Sequence, residues 1–461
     1  MSTKVSAIIL AAGKGTRMAS PLPKVLHPVA GVPMIHKVIH ACMGSGAEDI
    51  RLVVGHQSNL VKNVANILPV HCYDQAQPMG TADAVKAAQV ETIDGLVLIV
   101  NGDHPLIQAD DLKGVIKKFQ ETKADIAVVT AELKNPGSLG RVVRHHGELM
   151  AIVEAKDASQ ETLKIKEVNS GLYVVKAEAL QDLLPKIKNN NAQREFYLTD
   201  IITLGKDQGY TVKALKAPPV VAFGVNNQEE LARANRVVFR RKAKKLMEAG
   251  VVIIDPRQTY IEEEVEIGPG SVVYPGAFLR GKTKIGAFCV LEPNCFVVDC
   301  VLGDSVEVRA GSYLEKSKLS NKVSVGPYAR LRPETELGEE SHIGNFVELK
   351  KVKFGKKSKA GHLTYLGDAE VGESVNVGCG TITCNYAVDR KKYKTKIGSN
   401  VFVGSDVQFV APVEIGEGAI IASGSTITED VPAKALAVAR GRQVNKENYA
   451  DKIASPEQTE G

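Results

Sequence analysis

The sequence predicts two architectures in one chain: a doubly wound α/β domain over residues 1–227 and a parallel β-helix over 251–440, with a helical linker at 228–250. Three observations carry this. In the first half, short aliphatic runs alternate with helical patterns. Residues 228–249 then hold neither glycine nor proline. After that an aliphatic residue recurs at every sixth position, a period that fits neither a helix nor a hairpin.

The first element is the run at residues 5–10, apolar and bounded by turn residues, which reads as a buried strand. It empties into "AAGKGTRM". Glycines after a strand let bare N–H groups approach a ligand's phosphate oxygens, and Lys14 and Arg17 add positive charge. The spacing excludes a Walker loop, because one residue separates Gly13 from Gly15. It excludes a dinucleotide fingerprint as well, because Met18 occupies the third small-residue position. Taken alone, the loop reads equally well as an ordinary strand-to-helix turn. Further strands are predicted at 50–55, 95–103 and 125–133, with helices at "GTADAVKAAQ" and "ADDLKGVIKKFQ". Such alternation places ligands at the carboxyl ends of the strands.

The linker segment begins acidic, turns basic and meets Gly250. Leu231, Val238, Phe239, Leu246 and Met247 give it a thin apolar stripe, and as a helix it would span about 33 Å. Its basic run at 240–245 reads as a solvated face. The hexads follow: Ile267, Val273, Leu279, Ile285, Leu291 and Val297, then, after slips and insertions, Ile397, Val403, Phe409, Ile415, Ile421 and Ile427. Three hexads make a triangular coil of about 18 residues, so 255–434 accommodates roughly ten coils. The polar residues 441–461 read as a flexible tail.

Composition narrows the function. A chain of 461 residues, 44% hydrophobic, can bury at least two cores. A net charge of +5 suits anionic small ligands better than a nucleic-acid surface. Seven cysteines without a C-x-x-C pair argue against a disulfide framework or a zinc knuckle, and Cys289, Cys295 and Cys300 read as small buried residues. No run approaches the roughly 18 apolar residues of a membrane span. A reducing, cytoplasmic setting is expected.

Nearly the whole chain resembles the bacterial bifunctional UDP-N-acetylglucosamine pyrophosphorylase/glucosamine-1-phosphate N-acetyltransferases. "LAAGKGTRM…LPKVLHPVAGVPM" is similar to the signature of sugar nucleotidyltransferases in general. "ARLRPETELGEESHIGNFVELKK" and "SKAGHLTYLGDAEVG" resemble stretches specific to the bifunctional enzymes. The resemblance implies a Rossmann-like nucleotidyltransferase domain followed by a left-handed, trimeric β-helix with acetyl-transfer sites between subunits. It implies acetylation of glucosamine-1-phosphate by acetyl-CoA, then uridylyl transfer from UTP to N-acetylglucosamine-1-phosphate. The product feeds cell-wall and, where present, lipopolysaccharide synthesis.

The resemblance also implies roles for single residues. Leu10, Ala11, Ala12 and Gly13, with Asn101 and Gly102, would line the nucleotide, while Lys24 and Arg17 would bind its phosphates. Asp103, in "NGDHP", and Asn226, with Asn227 as the alternative, would hold magnesium. Gln75, Gly80 and Thr81 would read uracil; Gly140, Glu154 and Asn169 would hold the sugar. In the β-helix, His362 would be the general base, an imidazole being suited to take a proton from an amine near neutral pH. Arg332 and Lys350 would hold the sugar phosphate, and Tyr365 and Asn376 the sugar. Cys379, Asn385, Tyr386, Ser405, Ser423 and Arg440 would border acetyl-CoA. The sequence departs from the pattern at Asn101, where some relatives carry Tyr, and at Asp83, where His is usual. Cys379 and Ser423 replace alanines of some relatives.

Two rival readings share the two-domain plan. One is a single-activity nucleotidyltransferase whose β-helix only oligomerises; ten coils and the His362 segment weigh against it. The other is a non-catalytic assembly subunit; Lys24 and Asp103 weigh against that.

Overall fold

Strand Val5–Ala11 forms where the first aliphatic run predicts it and is buried along almost its whole length. In this computed structural model, which describes residues 3–453, the chain divides into two units, Met1–Arg241 and Lys242–Gly461. In the first unit Val5–Ala11 is paired in parallel with Asp49–Val54 on one side and Leu96–Asn101 on the other. The sheet continues through His71–Asp74 beyond the former, and through Glu167–Lys176, Ile126–Glu132 and Val212–Lys216 beyond the latter. Helices Met34–Gly44 and Ala109–Thr122 cover one face with Ile35, Ile39, Leu112 and Phe119. Helices Thr81–Ala87, Ala177–Leu183 and Asp200–Asp207 cover the other with Val85, Leu180, Leu183, Ile201 and Ile202.

One feature differs from the expected alternation. Glu167–Lys176 runs antiparallel to both its neighbours. It enters the sheet from an antiparallel ribbon, Arg141–His145 with Glu148–Val153, turned at His146 and Gly147, both at positive φ. Only the four-residue helix Gln160–Leu163 lies between the ribbon and this strand, too short to carry the chain back across the sheet for a parallel pairing.

Helix Gln228–Glu248 is a packed element. In the first unit its Ala234 and Val238 are buried among Met18, Val29, Met34, Leu106 and Val225. Gln228 Nε2 donates to the Met18 carbonyl at 2.9 Å, and the Ala30 N–H donates to Asn235 Oδ1 at 2.8 Å. The helix therefore closes over the loop that follows the first strand. Its last turns bury Ala243 and Leu246 in the core of the second unit, and the chain leaves through Gly250 at φ +89°.

The second unit is a parallel β-helix. All twelve aliphatic hexad positions lie in one axial core. One face stacks eleven strands, from Val252–Ile253 to Leu436–Ala437, in accord with the roughly ten coils expected. Coils take 17 or 18 residues, as between Leu291 and Val308 or Val403 and Ile421. The step from Val371 to Ile397 takes 26, because residues 385–393 leave the wall as a small loop. That loop is closed by the Tyr393 N–H on the Asn385 carbonyl, 2.9 Å, and the Ala387 N–H on the Lys391 carbonyl, 3.0 Å. Cys289, Cys295 and Cys300 are buried in the core, and burial pushes the Cys295 thiol up to about 12 and that of Cys300 to about 11. Residues 441–450 are exposed; the rest of the expected tail from 454 on lies outside the described residues. Among the described residues no helix is long and apolar enough to cross a membrane.

The packing of Val238 sets an expectation for truncation. A fragment ending at residue 241 keeps that contact and one ending at 227 loses it. Burial of a valine side chain stabilises by about 1.5–3 kcal/mol. The shorter fragment is expected to melt about 3–12 °C lower, measured by calorimetry on the two fragments. Equal melting temperatures would show that the helix contributes nothing to this unit.

Candidate functional site

At the carboxyl edge of the central strands the chain turns through Gly15, at φ +62°, into the 3₁₀ turn Thr16–Met18. A Cβ on Gly15 would stand 2.6 Å from Lys24 Cβ, so both the backbone conformation and the approach of the lysine require glycine. Lys24 opens a second 3₁₀ turn, Lys24–Leu26, and its ammonium reaches back to the strand ends. It donates to Asp103 Oδ2, and at 3.3 Å to Asn226 Oδ1. Arg17 Nη2 donates to the same Asn226 oxygen at 2.9 Å. Asp103 lies just beyond strand Leu96–Asn101, whose Asn101 is opposite Leu10. Asn226 is fixed by its own N–H on Glu230 Oε2, 2.6 Å, and its neighbour Val225 donates its N–H to the Asp103 carbonyl at 2.9 Å. Asn227 instead spends its side-chain oxygen on the Glu230 N–H, 2.8 Å, at the start of the helix. Of the two asparagines, Asn226 faces the cluster.

The electrostatics of this cluster are unbalanced. Burial alone would raise the Asp103 carboxyl, but the charge and hydrogen bond of Lys24 outweigh it and hold the group below the usual carboxylate range. Burial pushes His104 down, so it is neutral. Its Nδ1–H donates to the Val221 carbonyl at 3.2 Å, which leaves a lone pair on Nε2, 3.5 Å from Asp103 Oδ1. That oxygen is buried and has no hydrogen-bond partner. A partnerless carboxylate oxygen beside a carboxamide oxygen fits a divalent cation that prefers hard donors. Among the described residues no group of three or more His, Cys, Asp or Glu gathers to hold a metal. The protein would therefore supply only part of such an ion's shell, leaving the rest to water and phosphate.

Next to this cluster is a cavity of about 180 Å³ lined by Leu10, Thr81, Asn101, Gly140, Glu154 and Asn169, residues expected in the nucleotide and sugar sites. The antiparallel ribbon carries Gly140 and Glu154 into it, which is how the unanticipated strands serve the site. Burial, then Asp157 and Asp200, raises the Glu154 carboxyl. Asn169 Nδ2 donates to the Tyr173 hydroxyl at 2.8 Å, and its Oδ1 accepts the Gly171 N–H at 2.9 Å. Tyr173 and Thr199 also line the cavity and carried no signal in the sequence. Ala11, Ala12, Gly13 and Gly102 lie at the same strand ends, with the Gly102 N–H on the Leu10 carbonyl at 2.8 Å. Gln75 and Gly80 are joined by a hydrogen bond from Gln75 Nε2 to the Gly80 carbonyl, 3.2 Å.

In the β-helix, His362 ends strand Lys359–His362 and stands directly opposite Asn345, one coil earlier. Its Nδ1 lies 2.7 Å from Asn345 Oδ1. A carboxamide oxygen only accepts, so Nδ1 carries the proton and Nε2 presents a lone pair to solvent. Asn345 was missed in the sequence; counting back one 17-residue coil from His362 finds it. Asn376 is exposed on the next strand of the same face, opposite Lys359.

The remaining residues form two groups. Arg332 Nη1 donates to Glu348 Oε1 at 2.9 Å, and Lys350 is pushed below the usual lysine range by the adjacent Lys392 and by Arg332. Lys392 comes from the 385–393 loop and was also missed. Tyr365 and Asn385 both lie against Gly367, and Asn385 Nδ2 donates to Asp368 Oδ2 at 2.5 Å. In the other group the Ser405 N–H donates to Ser423 Oγ at 3.1 Å, and the Cys379 carbonyl accepts the Asp406 N–H at 2.6 Å. Tyr386 and Arg440 are exposed. Among the described residues no hydrogen bond joins His362 to Arg332, Lys350 or Tyr365; Lys350 and Tyr365 lie on strands of the other sheet, and Arg332 directly follows one of its strands, Arg330–Leu331.

Gly15→Ala is expected to displace Lys24 and weaken nucleoside triphosphate binding by about tenfold or more, a loss of one charge-assisted contact. Titration calorimetry checks this, and unchanged affinity would show that the lysine does not contact the triphosphate.

Comparison with known proteins agrees with this division. Residues 7–191 match the MobA-like NTP transferase domain, and residues 394–429 match the bacterial transferase hexapeptide repeats. The bifunctional protein GlmU of Bdellovibrio bacteriovorus is 65% identical over 99% of this chain and 100% of its own. Those of Pelobacter propionicus and a Geobacillus species are 47% and 45% identical, covering 96% and 97% of this chain and 98% of each relative. The chain belongs to the bifunctional GlmU family.

Proposed function

We propose that the chain makes UDP-N-acetylglucosamine in two steps at two sites. The β-helix acetylates glucosamine-1-phosphate from acetyl-CoA, and the α/β unit transfers UMP from UTP to the N-acetylglucosamine-1-phosphate so formed, releasing pyrophosphate. Uridylyl transfer is assigned to 1–227 and acetyl transfer to 251–440, with 228–250 joining them and 441–461 taking part in neither.

The observation that carries the reading is the convergence of Lys24, Arg17, Asp103 and Asn226 beside the Glu154–Asn169 cavity. A sugar phosphate oxygen attacks the α-phosphorus in line, and the bond to pyrophosphate breaks. Both reactants are anionic, so Lys24 and Arg17 act by neutralising charge. Mg²⁺, held by Asp103 and Asn226 when bound, supplies further neutralisation at the triphosphate. Gln75, Gly80 and Thr81 read the base, and Gly140, Glu154 and Asn169 hold the sugar.

In the acetyl-transfer site the amine nitrogen attacks the thioester carbonyl carbon, the C–S bond breaks, and coenzyme A leaves. The lone pair on His362 Nε2 takes the amine's proton, and Asn345 holds the imidazole in that tautomer. Arg332, Lys350 and Lys392 crowd positive charge that a sugar phosphate would relieve. Tyr365 and Asn376 contact the sugar; Cys379, Asn385, Tyr386, Ser405, Ser423 and Arg440 border acetyl-CoA. His362 and Lys350 lie on strands of different sheets of one β-helix. That separation supports a homotrimer in which one subunit completes its neighbour's site. The enzyme works in the cytoplasm, where both co-substrates are made.

Paired substitutions test the division. His362→Ala is expected to lower acetyl transfer by about 10²- to 10⁴-fold and leave uridylyl transfer unchanged. Asp103→Ala is expected to suppress metal-dependent uridylyl transfer and leave acetyl transfer unchanged. Each is read by separate assays of coenzyme A and pyrophosphate release. If either variant loses both activities while remaining folded, the sites are not independent.

A further inference from the structure

The Gln75 carboxamide has one orientation available to it. Its Nε2 donates at 2.7 Å to Asp83 Oδ2 and at 3.2 Å to the Gly80 carbonyl. Both partners are acceptors only, an ionised carboxylate and a backbone carbonyl, so the NH₂ group must face them. The backbone that carries both partners is fixed. Gly80 sits at φ +118° with its α-carbon against the backbone of Phe196, where a Cβ would come within 2.5 Å of the Phe196 carbonyl oxygen. The Phe196 N–H donates to the Met79 carbonyl at 2.8 Å, and the Ala82 N–H to that of Phe196 at 2.9 Å. Asp83 follows in the first turn of helix Thr81–Ala87, anchored by that last bond. Gln75 is itself buried, with its N–H on the Val54 carbonyl at 2.8 Å. Only Oε1, an acceptor, remains to meet a ligand.

We propose that Asp83 is a specificity-determining positioning residue that holds the Gln75 carboxamide with its oxygen toward the nucleobase. The inference rests on the reading of Gln75 as the base contact. Uracil offers an N–H at ring position 3, which Oε1 accepts. Cytosine offers a lone pair there, which Oε1 repels. A carboxamide free to turn over would donate its N–H to cytosine instead. The Asp83 carboxylate prevents this, since turning over would set Gln75 Oε1 against it and leave both without a donor. Asp83 thus makes the site selective for an imide base without touching the nucleotide.

The test is the ratio of kcat/KM for UTP to that for CTP in uridylyl transfer and its cytidylyl counterpart. In Asp83→Asn the new side chain can accept through its oxygen or donate through its nitrogen, so at the shorter of the two contacts both orientations of Gln75 are satisfied, and only the longer contact to the Gly80 carbonyl, 3.2 Å, still favours one. The ratio is expected to fall at least about tenfold, with the change in KM and with kcat for UTP altered by no more than about threefold. Asp83→Ala, which removes the acceptor altogether, is expected to lower the ratio as well. Acetyl transfer in the same preparations reports that the chain is folded. A purely structural role would depress both nucleotides alike and leave the ratio unchanged, and that result in both variants overturns the role of Asp83. A wild-type enzyme that uses UTP and CTP equally overturns the base contact itself, which is a different failure.

Discussion

Parallel strand pairing fixes where the functional side chains of this protein stand. In the α/β unit, Leu10 is opposite both Val53 and Asn101, so three strands end at one level. The loop bearing Arg17, the Asp103 turn and Lys24 are thereby gathered at a single edge, although nearly eighty positions separate the lysine from its aspartate. In the β-helix the same constraint acts vertically. Residues one coil apart are held side by side, so Asn345 meets His362 and Lys359 meets Asn376 by register alone.

Parallel pairing demands apolar cover, because sheets of this kind are stable when buried. The α/β unit meets the demand with helices on both faces of one sheet. The β-helix meets it by rolling the strands around their own aliphatic side chains, which leaves the outer surface and corners for polar groups. Active residues are therefore confined to strand ends in the first unit and to the outer wall in the second. Among the described residues, Asp103 Oδ1 is one of five buried side-chain atoms without a hydrogen-bond partner, and the one carried by a carboxyl group. Such a group costs about 1–3 kcal/mol or more.

Much of this was legible in the sequence. The strand at 5–10 and those at 50–55, 95–103 and 125–133 could be read because a buried parallel strand is an uninterrupted aliphatic run. The β-helix could be read because its period of six belongs to no other regular structure. The ribbon at 141–153 and the antiparallel strand after it could not, since their half-exposed residues alternate weakly and no turn dipeptide such as Asn-Gly marks the ribbon. The site was legible as motifs but not as contacts. Nothing near Lys24 announces Asn226, and nothing at Gln75 announces that its amide is oriented. Asp83 stood out only as a departure from a familiar pattern; its meaning emerged when the fold set it 2.7 Å from Gln75. Asn345 and Lys392 were hidden for the same reason, being brought to their partners by a coil and by a loop.

One chain carries both transfers, and acetylation comes first. The most direct measurement gives the intact protein glucosamine-1-phosphate, acetyl-CoA, UTP and Mg²⁺, and follows the products by mass spectrometry. UDP-N-acetylglucosamine should accumulate together with coenzyme A and pyrophosphate. Withholding acetyl-CoA should stop it, and adding N-acetylglucosamine-1-phosphate should restore it. Accumulation of UDP-glucosamine in place of the acetylated product, or pyrophosphate release with no coenzyme A release from the complete mixture, would contradict the account.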